Sequence, residues 1–251
     1  MEKNRQVTAA FFSPTGGTRK TVEIFTEFLT QNPRYLDLGR RKLRKEKWKF
    51  SSKDFLVAAA PVYGGQLPDI QEPLFSNLQG EKTPCVIMAA YGNRHYDDTL
   101  AQMQHRLEKQ GFICIGAIAP IVPHVYSEVL GNGRPDEKDV QILRRFTIKK
   151  KKRVENGEKY GFVSVQLPGN PEPAPKQMKP VKKYFRRELC RNCQACVQKC
   201  PVNGISQETL EIREDLCLNC MACVKVCAAG ARTCDCSQVA EYLEKNYRAP
   251  K

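Results

Sequence analysis

From Val7 to Arg153, short apolar runs alternate with amphipathic ones. Val7–Ser13 (VTAAFFS), Phe55–Ala60 (FLVAAA), Pro84–Tyr91 (PCVIMAAY) and Phe112–Ile118 (FICIGAI) are continuous apolar runs of strand length, and Tyr35–Leu38 (YLDL) is a shorter one. Thr18–Leu29 places Val22, Phe25, Phe28 and Leu29 at helical spacing, and Thr99–Gln110 does the same with Leu100, Met103 and Leu107. Asp69–Leu78 is predicted as a further helix, and Asp136–Arg153 as the last, opened by the turn signal NGRPDE. Strands apolar on both faces, separated by helices, imply a parallel sheet covered on both sides. Five of them predict an α/β fold, a doubly wound five-stranded parallel sheet.

The pattern then stops. Gln166–Lys183 (QLPGNPEPAPKQMKPVKK) holds five prolines and has no helical or strand period. It reads as an extended, semi-rigid linker or a surface wrap. The expected organisation is a front domain over 1–165, a linker over 166–183 and a small α+β domain over 184–251. That last part is too short to stand on an apolar core alone, so it needs a staple.

Cysteine supplies the staple. Cys190–Cys200 (CRNCQACVQKC) and Cys217–Cys227 (CLNCMACVKVC) both read C-x2-C-x2-C-x3-C, an internal repeat that shares Asn192/Asn219, Ala195/Ala222 and Val197/Val224. Three cysteines at three-residue steps wrap one corner of an iron–sulfur cube, and the fourth reaches across to the other cube. On that rule one [4Fe–4S] cluster is held by Cys190, Cys193, Cys196 and Cys227, and a second by Cys217, Cys220, Cys223 and Cys200. A pair of zinc sites is the competing reading, but zinc pairs two C-x2-C hooks and has no use for a third cysteine at the same step. Cys234 and Cys236 fall outside the frame as spare thiols, and Cys85 and Cys114 pack within strands.

This repeat resembles the bacterial two-cluster ferredoxins over most of Tyr184–Ala231. It departs from them after the second fourth cysteine, where Ala228 stands in place of the proline found after Cys200.

Composition changes the picture in two respects. Of 251 residues, 41 are Lys or Arg and 27 Asp or Glu, a formal charge of +14. Two clusters would lower this by about 4, still basic. The charge gathers in Arg40–Lys49 and Arg144–Arg153. Solvated faces explain such runs; docking of an acidic redox partner, a ferredoxin or an oxidoreductase, is the sharper reading. No base-reading motif accompanies them, which argues against nucleic acid. No apolar run reaches membrane-spanning length and the opening segment is no signal peptide. Clustered cysteines then fit a reducing, cytoplasmic setting.

The front domain carries its own candidate chemistry. Directly after the first strand comes Ser13-Pro14-Thr15-Gly16-Gly17-Thr18, followed by a helix. Small hydroxyl residues and glycines let backbone N–H groups close on a phosphate, and the helix N-terminus adds its dipole. The next loops expected at the carboxyl ends of the strands hold Pro61-Val62-Tyr63-Gly64-Gly65 and Tyr91-Gly92-Asn93-Arg94-His95-Tyr96. An anchor for phosphate and two aromatic loops suit flavin mononucleotide (FMN).

Residues from about Val7 to Arg153 resemble flavodoxin, and the whole chain resembles the flavodoxin–ferredoxin fusions of anaerobes, the EFR-type ferrodoxins. The resemblance implies an electron-transfer protein that couples the one-electron chemistry of two clusters to the two-electron chemistry of FMN. A reductase acting on a small molecule is the alternative it leaves open. It implies that Ser13, Thr15, Gly16, Gly17 and Thr18 hold the FMN phosphate. Pro61, Val62, Tyr63 and Gly64 would border one side of the ring, with Tyr63 a candidate stacker. Tyr91, Gly92, Asn93, Arg94 and Tyr96 would border the other. Flavodoxins commonly stack a tryptophan, but Trp48 lies in a basic segment far from these loops. His95 and His124 are further candidates near the ring. An internal electron path requires the cysteine-rich tail to pack against the loops of Tyr63 and Tyr91–Asp98.

Overall fold

The computed structural model describes residues 5–176 and 181–249. Nine strands and seven helices occur among them. The strands are β1 (Val7–Phe11), β2 (Arg34–Asp37), β3 (Trp48–Phe50), β4 (Phe55–Pro61), β5 (Leu78–Gly80), β6 (Thr83–Ala90), β7 (Phe112–Ile118), β8 (Lys182–Phe185) and β9 (Arg232–Asp235). The helices are α1 (Gly17–Glu27), α2 (Arg41–Lys45), α3 (Thr99–Glu108), α4 (Glu137–Tyr160), α5 (Ala195–Lys199), α6 (Ala222–Lys225) and α7 (Ser237–Asn246).

The main sheet is parallel, in the order β2-β1-β4-β6-β7. Counting its five strands alone, this is order 2-1-3-4-5, the flavodoxin-like doubly wound arrangement. Its two faces bury two separate cores. Ala10, Leu56, Ala58 and Ile87 point to one, where Leu100, Met103 and Leu107 of α3 cover them. Ala9, Phe11, Val57, Ala59 and Met88 point to the other, under Val22 and Phe25 of α1 and Leu143 and Val154 of α4. Strand residues alternate between faces and both faces are dry, which is why the runs read as unbroken apolar stretches.

Two expectations need correction. Asp69–Leu78 is not a helix. Ile70, Leu74 and Phe75 are buried, but they belong to an irregular segment. Pro73 has no N–H to donate, and Phe75 sits at φ 69°. Leu78 instead opens β5, which pairs in parallel with β3, a ribbon whose three-residue strands carry too little periodicity to be read. The last helix of the front domain runs to Tyr160, well past Arg153. Asp136 and Asp139 form a capping box at its start, and the run Lys149–Arg153 is made of good helix formers.

Beyond α4 the proline-rich segment wraps the front domain as far as Lys176; residues 177–180 of the expected linker lie outside the described residues. The Val165 N–H donates to the Cys114 carbonyl at 2.8 Å, the Gln66 amide donates to the Ala174 carbonyl at 2.8 Å, and the Lys176 N–H donates back to Gln66 Oε1 at 3.4 Å. In the tail, β8 and β9 pair antiparallel and bring its two ends together. Few apolar side chains are buried there: Val181, Ile205, Leu210, Met221 and Leu243 are the larger ones.

Candidate functional site

Each cysteine hook has the same backbone. Asn192 and Gln194 take φ of 52° and 62°; their counterparts Asn219 and Met221 take 52° and 59°. Left-handed residues alternating with ordinary ones turn successive N–H groups inward, the concave nest found around phosphates and iron–sulfur clusters. A helix of one turn follows each hook, at Ala195 and at Ala222.

The eight cysteines ring two cavities. Cys190, Cys193, Cys196 and Cys227 line one of about 250 Å³, together with Phe185, Leu210 and Arg232. Cys217, Cys220, Cys223 and Cys200 line the other, beside Lys183, Pro201 and Ile205. In both, the fourth cysteine comes from the opposite hook. Among the described residues, no three His, Cys, Asp or Glu side chains converge at the spacing of a single ion. Four cysteines around the cavity of about 250 Å³ suit a polynuclear core better than one zinc ion; the second cavity is narrower, about 20 Å³. Burial pushes the Cys220 thiol up to about 12, so metal binding there must expel a proton.

In the front domain, the loops at the carboxyl ends of the strands enclose a third pocket. Its walls include Ser13, Pro14, Thr15, Gly17 and Thr18; Pro61, Val62, Tyr63 and Gly64; and Gly92. Gly16 caps α1 with φ 94°, a value that a side chain rarely adopts. No acidic residue stands in the first turn of α1, so its N–H groups face no competing charge. The Arg19 N–H donates to Ser13 Oγ at 3.0 Å and draws the loop closed.

Val122, Pro123, His124, Val125 and Tyr126, from the loop after β7, line the same pocket. The His124 ring lies against Gly92, where a Cβ would come within 2.4 Å of it. Burial lowers its pKa to about 4, so it is neutral near pH 7. Its Nδ1 accepts the Tyr126 N–H at 3.1 Å, which leaves the proton on Nε2 as a donor. Burial also raises the Tyr63 and Tyr126 phenols, which stay protonated.

The remaining residues singled out in the sequence are placed elsewhere. Tyr91 is buried and meets Tyr96 edge-on at 6.2 Å. Tyr96 stacks on His95 at 4.6 Å, and His95 contacts Asp97. Arg94 pairs with Asp97 and lies over the Tyr247 ring. The Asn93 side chain donates to the carbonyls of Tyr247 and Arg248, at 2.7 and 3.0 Å. This loop therefore clasps the tail rather than walling the pocket, Gly92 excepted. Trp48 is remote and packs on the core.

The tail completes the pocket. Leu218 and Asn219, which stand between Cys217 and Cys220, line it together with Lys225. The Tyr126 hydroxyl donates to the Asn219 carbonyl at 2.6 Å, and Ser127 donates to the Glu244 carboxylate at 2.5 Å. Arg44, fully buried, donates to Pro201 O. Sequence reasoning missed Tyr126, Ser127 and Arg44 because their partners lie far along the chain.

Family models for 4Fe-4S binding domains match residues 183–206 and 209–231. The tail thus carries a ferredoxin-type 4Fe–4S region, behind a front sheet with the flavodoxin-like strand order. Among solved structures, the chain is similar to a flavodoxin from the domain Archaea (10% identity over 60% of this chain and 99% of that one, TM-score 0.42). It is also similar to a short-chain flavodoxin associated with a non-canonical PDU bacterial microcompartment (16%, 59% and 99%, TM-score 0.42). A third is the two-electron reduced flavodoxin of Megasphaera elsdenii (13%, 57% and 99%, TM-score 0.39). No curated protein matches the chain. Among the described residues no helix of the fusion is long and apolar enough to cross a membrane.

Proposed function

We propose that this chain is an electron-transfer protein that exchanges electrons between two [4Fe–4S] clusters and FMN within one molecule. The observation that carries the proposal is the shared wall. Leu218 and Asn219, inside the Cys217–Cys220 hook, line the pocket of the Ser13–Thr18 loop and Tyr63. Flavin handles one or two electrons and an iron–sulfur cluster one, so the pair couples the two kinds of chemistry.

In this reading Cys190, Cys193, Cys196 and Cys227 hold one cluster, and Cys217, Cys220, Cys223 and Cys200 the other. The backbone of Ser13–Thr18 takes the phosphate, Tyr63 borders the ring, and neutral His124 offers its Nε2–H to a ring acceptor. Asn93, Tyr126 and Ser127 fix the tail against the pocket. Basic residues on the exposed face of α4 suit an acidic redox protein as external partner.

Anaerobic purification with metal and flavin analysis is the first test. About eight irons and one FMN per chain are expected; zinc without iron, or no affinity for FMN, overturns the reading. Pulse reduction of the loaded chain then tests the internal path. The rate of flavin reduction should not depend on protein concentration, and a rate proportional to concentration would exclude transfer inside one chain.

A second reading, an FMN-dependent reductase fed by its own clusters, is favoured by a groove of about 670 Å³. It runs from Tyr63 and Leu218 past Gln102, His105 and Arg106. Rapid oxidation of the reduced protein by one class of small molecule, and by no redox protein, would select it.

A further inference from the structure

Arg232 opens β9 and is 3% exposed. Its Nη2 donates to the Leu210 carbonyl, and its guanidinium lies 4.6 Å over the Phe185 ring. Its Nε and Nη1 have no hydrogen-bond partner, and among the described residues no carboxylate pairs with it. A buried charge without a counter-charge costs several kcal/mol. A buried N–H without an acceptor adds to that cost. A natural chain keeps such a group when something else answers it.

The surroundings say what that is. Arg232, Phe185 and Leu210 line the cavity ringed by Cys190, Cys193, Cys196 and Cys227. Lys183 gives the contrast. It is the buried cation of the other cavity, but its ammonium is already matched by Glu214 at 3.0 Å and Asn219 at 2.7 Å. The two sites thus differ in the free positive charge beside them.

We propose that Arg232 is the resident counter-cation of the cluster site formed by Cys190, Cys193, Cys196 and Cys227, with its unpaired Nε–H and Nη1–H serving the anionic sulfurs there. The proposal rests on the reading of these cysteines as cluster ligands. Four thiolates around a core of about +2 carry a net charge of about −2, which becomes about −3 when one electron enters. No bond is made or broken in that step. A fixed cation favours the more negative state, so Arg232 raises the reduction potential of this site. Arg232 is a positioning and tuning residue rather than a catalytic one.

The test uses the full chain, purified anaerobically, with redox titration followed by electron paramagnetic resonance. Arg232→Met should retain iron and lower one cluster potential by at least a tenfold change in the one-electron equilibrium constant, about 59 mV. The other cluster should shift less. Arg232→Lys, which keeps the charge but loses the fork, should fall between. Full iron with unchanged potentials in both variants overturns the proposal.

A second measurement needs no destabilising change at Arg232. With arginine labelled by 15N in the guanidinium, and Arg191→Lys removing the only other arginine in the cavity lining, the reduced cluster should show a 15N hyperfine coupling. Absence of that coupling in iron-loaded protein overturns the hydrogen bonds even where Arg232→Met fails to fold. A wild-type chain that takes up no iron would instead sink the reading of the cysteines.

Discussion

The two halves of this chain solve the same problem with opposite means. The front domain buries two apolar layers, one on each face of a five-stranded sheet, and could hold its shape by packing alone. The tail buries a handful of apolar side chains and sets eight cysteines around two cavities. With the cysteines as the proposed ligands, its cohesion would come from ligands exchanged between the two hooks, which would make folding and metal loading one process there. In the proposed reading, one half is built first and binds afterwards; the other is built by what it binds.

The largest expected effect separates the halves outright. Stripping iron with a chelator under oxidising conditions should unfold the region over 181–249 and leave the front sheet protected. Hydrogen exchange read by mass spectrometry checks this, and a tail that stays protected would show that the comparison is overdrawn. The converse is a core truncation in front. Ile87, wholly buried in the interior strand β6, should cost about 2–5 kcal/mol as Ile87→Ala. Denaturant melts would show that loss while iron content per folded chain stays constant.

A smaller effect sharpens the front domain's role as a receiver. Thr15→Glu places a carboxylate in the loop proposed to take phosphate, and FMN affinity should fall about tenfold to a hundredfold, roughly 1.4–2.8 kcal/mol. Fluorescence titration measures it, with the cluster spectrum unchanged. The smallest effect is local. Asp136→Ala removes the capping box of α4 and should lower front-domain stability by about 1 kcal/mol, with no change in either cofactor.

Much of this was readable from residues alone, and for physical reasons. Buried parallel strands are apolar on both faces, so β1, β4, β6 and β7 announced themselves to within a residue or two. The cysteine hooks carry chemistry in their spacing, and each cavity gathers three cysteines of one hook and the fourth of the other. What escaped was long-range or aperiodic. Tyr126 is an ordinary loop tyrosine until Asn219 is found 93 positions later. Arg44 sits in a basic run that looks like solvated surface, yet it is buried and reaches Pro201. Asp69–Leu78 was expected to be a helix, but Pro73 and the left-handed Phe75 take the segment elsewhere.

The amide of Gln66 links the wrap to the pocket rim. It gives one hydrogen to the Ala174 carbonyl and takes one from the Lys176 N–H, as a neighbouring strand would. Its own backbone exchanges two hydrogen bonds with Tyr63. As far as Lys176, the proline segment is therefore not slack cord but a strap buckled to the front domain one residue from the pocket's glycine turn.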